Sequence, residues 1–192
     1  MKKTVSLLLC AIVIFHLVGC ESRQHRHNRI MTSAKEYVAQ NSDLIREAAN
    51  WLISHYNDPE QWPEYGYTIH IERSTENEIT AQNYTTGQNE IIKNTACETL
   101  LLNDGIFKHR YITLHIAEDC QTVEFNVKGI GNNAYYYVVF VPSGNIEDVW
   151  DYNSRFTYTE VDGGFLGEQS DGDNSFFYLP LSDDLFYCEA FF

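Results

Sequence analysis

Helical periodicity early in the chain and two-residue alternation later predict an α+β domain. One or two N-terminal helices pack on one face of a mainly antiparallel sheet of about five or six strands. Two observations carry this. From Ser33 to Tyr56, apolar residues recur at three- and four-residue steps; from Ile106 onward the period is two. The helical patterns precede most of the strand patterns, the order of an α+β domain.

The elements follow in order. Ser33-Ala34-Lys35-Glu36 fits a capping box at a helix start. Behind it Val38, Asn41, Ile45, Ala48, Leu52 and Tyr56 form one stripe, flanked by Tyr37, Leu44, Ala49 and Ile53. Asn57-Asp58-Pro59 ends the helix, because proline pushes its predecessor out of helical angles. A loop holds Trp62-Pro63. Tyr65, Tyr67, Ile69 and Ile71 then alternate with Gly66, Thr68, His70 and Glu72, as in a half-buried strand. Ile79, Ala81 and Tyr84 fit a short strand in a polar stretch. A second helix is expected from about Glu90, ending at Asn103-Asp104-Gly105.

Ile112, Leu114 and Ile116 oppose Tyr111, Thr113 and His115; Val123, Phe125 and Val127 oppose Thr122, Glu124 and Asn126. After the turn Gly129–Asn133, the run Ala134–Val141 lacks alternation and belongs at the centre of the sheet, covered on both faces. Arg155–Val161 is a further strand, and Ser175–Leu181 with Leu185–Phe192 forms a terminal hairpin around Ser182-Asp183-Asp184.

The first twenty residues are of another kind. Lys2 and Lys3 precede a nearly continuous apolar run from Val5 to Val18, the order of a secretory signal. The run is shorter than the roughly 20 residues that span a bilayer. It ends in Leu17-Val18-Gly19-Cys20, which resembles the lipobox of bacterial lipoproteins. The resemblance implies cleavage before Cys20 and a diacylglyceryl group on its sulfur. It divides the chain into a leader, 1–19, a lipidated cysteine with a basic, flexible tether, 20–32, and one α+β domain, 33–192. The body resembles small uncharacterised bacterial lipoproteins with a Tyr/Phe-rich C-terminal meander, and no activity transfers from that likeness. The expected location is the bacterial cell envelope, lipid-anchored and facing the extracytoplasmic side. Glu21, where enteric inner-membrane lipoproteins often carry Asp, points towards the outer membrane.

The whole chain has 13 basic against 27 acidic residues. Loss of Lys2 and Lys3 with the leader leaves 11 basic, a formal −16. Glu21–Thr32 carries +2, while Ser33 onward, with 8 basic and 26 acidic residues, carries −18. A basic tether suits anionic lipid head groups. An acidic body excludes nucleic acid, whose phosphates need Lys and Arg. It serves solubility, and it also admits a basic protein partner. Of the mature cysteines, Cys97, Cys120 and Cys188 allow three alternative bridges outside the cytoplasm.

Signatures of common hydrolases and nucleotide enzymes are absent: no GxSxG, HExxH, SxxK, P-loop or GxGxxG. No cofactor is implied. His70 and Glu72 share the polar face of one expected strand, and His109 and His115 that of another. If those strands are neighbours, two or three of these residues can meet as zinc ligands; otherwise all four are solvent-facing side chains on a sheet. Cys97 beside His109 or His115 would make a thiol–imidazole pair, against the plainer reading of a buried, inert helix cysteine. Asp171-Gly172-Asp173 fails the EF-hand spacing.

From Tyr135 to the C-terminus stand sixteen aromatic residues, and from Asn145 onward eleven acids accompany a single base, Arg155. Consecutive strand residues point to opposite faces, so these rings cannot share one core. They fill and cover a sheet, or they form an interaction surface, with Trp150, Tyr152 and Tyr158 as candidates. The expected function is therefore a lipid-anchored extracytoplasmic binding protein capturing a basic protein through an acidic, aromatic-rich surface. The alternative is a small envelope hydrolase or metal-dependent enzyme with a dispersed site.

Overall fold

A computed structural model describes residues 2–57, 67–103, 105–108, 110–117, 121–129, 134–149, 156–161, 163–169 and 174–192. Over 2–26, and at Tyr67, Lys128 and Gly129, it describes the backbone alone. The α+β class holds, with two α-helices and one antiparallel sheet. The sheet has ten strands instead of five or six.

Helix α1 runs Lys2–Tyr56 with a kink at Asn41, whose φ of −129° leaves the helical region. The Asn41 side-chain amide donates to the Tyr37 carbonyl at 2.9 Å, a local bond that competes with the helical ladder and marks the bend. Ser33 sits inside this helix, so the expected capping box does not start it. The segment expected as a flexible tether is also helical, and its end packs on the domain: Ile30 is buried and Met31 lies against the same core. Below the kink, Ile45, Ala48, Ala49, Leu52 and Ile53 bury the anticipated stripe. Among the described residues, no helix is long and apolar enough to cross a membrane.

The strands are β1 (Tyr67–Thr75), β2 (Glu78–Asn83), β3 (Asn89–Ile92), β4 (Tyr111–Ile116), β5 (Gln121–Gly129), β6 (Ala134–Phe140), β7 (Phe156–Val161), β8 (Gly164–Gln169), β9 (Ser175–Pro180) and β10 (Leu185–Phe191). Their order across the sheet is β3-β2-β1-β4-β5-β6-β10-β9-β8-β7. The helix expected from Glu90 begins later. Asn89–Ile92 is an edge strand, and α2 covers Thr95–Leu102, with the Asn94 side chain accepting from Cys97 N at 2.9 Å as N-cap. Ile91 and Ile92, β-branched, suit the strand.

The helix face of the sheet holds the main core. Ile69, Ile71, Ile112, Leu114, Ile116, Val123, Phe125, Val138, Phe140 and Leu185 meet α1 and α2 there. Each such side chain contributes about 1.5–3 kcal/mol on burial. The far face carries a second cluster of Val139, Val141, Ile146, Val149, Tyr178, Phe186 and Cys188. A 3-10 turn over Ile146–Asp148, capped by the Asn145 side chain, brings Ile146 and Val149 onto it. Thus β6 lies centrally, and Val138 and Val139 are buried on opposite faces, as its lack of alternation predicts.

Polar clamps fix α1 to the sheet, among them Tyr56 Oη and His55 at Glu90 of β3. Arg46 makes a bidentate pair with Asp184, its Nε at 3.0 and 2.8 Å from the two carboxylate oxygens, and donates to Ser182 Oγ at 3.0 Å. That arrangement holds the Asp184 carboxyl below the usual carboxylate range. Nearer the start of the described side chains, His27 Nδ1 shares a 2.7 Å hydrogen bond with Tyr136 Oη and lies 3.7 Å from Glu189, which accepts from Tyr187 Oη at 2.9 Å.

A row of rings and acids across the far face

The far face carries the unusual chemistry. β1, β4 and β5 are consecutive neighbours there, with Thr68 opposite His115, His70 opposite Thr113, and Thr113 opposite Glu124. His70, Glu72 and His115 therefore do share one face of adjacent strands. They do not form a metal cluster: among the described residues no three His, Cys, Asp or Glu side chains are placed to hold a metal ion. His70 Nε2 lies 3.6 Å from Glu72, while His115 Nε2 lies 3.6 Å from Glu124 and its Nδ1 3.2 Å from Thr68 Oγ1. Burial lowers the His70 imidazole below its ordinary value, opposed by the Glu72 carboxylate. His109 lies outside the described residues, as do the side chain of Cys20, the residues Trp150, Tyr152, Asp171 and Asp173, and Cys120.

Tyr158 is half-buried rather than presented to solvent. It packs with the far-face cluster and covers Gly167 directly across β7 and β8, where an added Cβ would lie 2.6 Å from the ring. The most exposed rings of the same face belong to a row running obliquely across the strands. Tyr84 contacts His70 with ring centres 5.7 Å apart, and His70 contacts Tyr111 at 4.6 Å. The Tyr111 and Tyr137 hydroxyls are 3.4 Å apart. Tyr137 stacks on Tyr135, Tyr135 meets Phe192 edge-on, and Phe192 meets Phe176, which meets Phe156. Tyr84, Tyr135 and Phe192 are 59, 39 and 52 % exposed. Tyr84 is held at the tip of the β2–β3 hairpin, where Asn83 Oδ1 accepts from Thr85 N and Thr86 N.

Beneath the row the face is polar and tightly held. Asn126, buried, donates to Tyr111 Oη at 3.3 Å. Thr113, His115 and Thr122 are buried as well, and Thr122 Oγ1 is a buried hydroxyl with no hydrogen-bond partner among the described residues. Burial pushes the Tyr111, Tyr137 and Tyr178 phenols up, so all three stay protonated donors at neutral pH. Glu72, Glu124 and Glu160 share this face.

The cysteine readings resolve. Cys97 and Cys188 are free, buried thiols on opposite faces of the sheet, so they form no bridge. Burial drives the Cys97 thiol up to about 12, and His115 lies across the sheet from it, so these two form no thiol–imidazole pair, while His109 lies outside the described residues.

The sequence singled out His70, Glu72, His109 and His115 but passed over Glu124, Thr122, Tyr84, Tyr111 and Asn126. The available signal was the polar set Thr122, Glu124 and Asn126 on a strand flanked by apolar ones. Fold and site together describe an α+β chain with a continuous antiparallel sheet, helices on one face and a ring-lined acidic surface on the other. No family model, curated protein or solved structure matches it.

Proposed function

We propose that this chain is a lipid-anchored extracytoplasmic binding protein whose recognition surface is the far face of the sheet, and that its partner is a basic protein. The observation that carries this reading is the row of partly exposed rings from Tyr84 to Phe156, set beside the acids Glu72, Glu124 and Glu160. Aromatic rings with satisfied polar groups at their edges favour protein interfaces, and carboxylates beside rings favour cations. The −18 of the body attracts a basic partner over longer range. The lipobox resemblance at Leu17–Cys20 supports the anchor; Cys20→Ser then moves the protein from the membrane to the soluble fraction and removes its acyl mass.

The test is capture from envelope and secreted fractions by the full chain in detergent. One stoichiometric basic partner, retained at low salt, lost at high salt and lost with Tyr84→Ala/Tyr135→Ala, supports the reading. Equal capture by that variant contradicts it. A second reading, a small envelope hydrolase, draws on the hydroxyl–imidazole–carboxylate chain Thr68–His115–Glu124. It requires ester or amide hydrolysis that His115→Ala abolishes.

A further inference from the structure

We infer that the far face holds a site for one cationic side chain, a guanidinium or ammonium group of the partner, beside Glu124. The inference rests on the binding reading above and names the chemistry at its centre. Glu124 opposes Thr113 on β4 and Val139 on β6, so Tyr111 and Tyr137 are its diagonal neighbours, within reach of long side chains. Its side chain is 21 % exposed, withdrawn from bulk water yet open to a ligand. It pairs with His115 at 3.6 Å, and a histidine supplies charge only when protonated. A carboxylate in that position gains from an incoming cation what it lacks within the fold.

The surroundings suit a cation further. The Tyr111 and Tyr137 hydroxyls, 3.4 Å apart, remain neutral and offer oxygens to a cation's N–H groups beside Glu124. Thr122 lies two residues from Glu124 on the same face of β5, and its buried hydroxyl has no partner among the described residues. A guanidinium has donors to spare for both oxygens and for that hydroxyl. An anion would meet Glu124 and Glu72 on the same face; a neutral group would leave the carboxylate uncompensated.

The test uses the full chain in detergent and two small probes, argininamide and its uncharged counterpart citrullinamide, followed by tyrosine fluorescence. Argininamide binds wild type at least tenfold more tightly than citrullinamide does, and Glu124→Gln removes that preference. Because Glu124→Gln also touches His115, Thr122→Val is the second variant. Its hydroxyl has no partner among the described residues, so thermal stability is kept while argininamide binding weakens several-fold. Equal argininamide binding by wild type, Glu124→Gln and Thr122→Val overturns the site, as does a neutral oligosaccharide binding this face equally in wild type and Glu124→Gln. If Glu124→Gln leaves partner capture intact while Tyr84→Ala/Tyr135→Ala abolishes it, the cation site fails and the binding face stands. If neither changes capture, both fail.

Discussion

Arg46 and Asp184 lie far apart in sequence and join α1 to the turn between β9 and β10. The pair is partly buried and bidentate, so Arg46→Ala lowers stability by about 1–2 kcal/mol, read as a lower urea midpoint with an unchanged slope. Its pH dependence has a definite sign. The folded Asp184 carboxyl titrates below its unfolded value of 3.8. Its contribution is therefore present above that value and lost as pH falls through the lower folded one. His70 behaves alike in a higher window. Its folded value lies below 6.5, so stability is full above 6.5 and declines as acid forces a proton onto the buried ring. Thermal melts across pH 7 to 5 show this decline in wild type and a flatter curve in His70→Gln. Gly144, at φ +70°, marks a backbone constraint: an added Cβ falls on the Asp183 carbonyl oxygen, so Gly144→Ala destabilises by about 1–3 kcal/mol in a thermal melt.

At the scale of elements, α1 was legible from Val38 to Tyr56 because its stripe repeats at helical spacing. Its upstream part was not, because Arg23, Gln24, His25, Arg26, His27 and Asn28 carry no apolar period. Only Ile30 and Ala34 continue the stripe before Val38, four residues apart, and both are buried. A chain beginning at Ser33 therefore loses Ile30 and the His27–Tyr136 bond, and unfolds with about 2–4 kcal/mol less stability than one beginning at Ser22, measured in urea. Strand β8 hid for a different reason. In Gly164-Phe165-Leu166-Gly167, glycines occupy positions where a strand pattern expects side chains, and the rings of Phe177 and Tyr158 lie where their Cβ atoms would be. Strand β3 was read as helix because Ile91, Ile92, Ala96 and Leu100 fit both periods until Asn94 is recognised as a cap.

At the scale of the molecule, the class was legible in the change of period, and the central place of β6 in its unbroken hydrophobicity. The site was legible only in its ingredients. His70, His115 and the aromatic excess were visible, but which strands adjoin is set by long-range pairing that no local pattern reports; β6 meets β10 across more than forty residues. Pairing turns scattered tyrosines into a row and sets Glu124 diagonal to both Tyr111 and Tyr137. It also makes Tyr84, Tyr135 and Phe192 the exposed rings of the face that half-buried Tyr158 shares. The central claim is that this face meets the partner. A photo-crosslinking residue in place of Tyr135, compared with one in place of the exposed helix residue Gln40, tests it most directly. The account predicts a covalent adduct with a basic protein from position 135 and none from position 40. Adducts from position 40 alone would place the partner on the helices and contradict it.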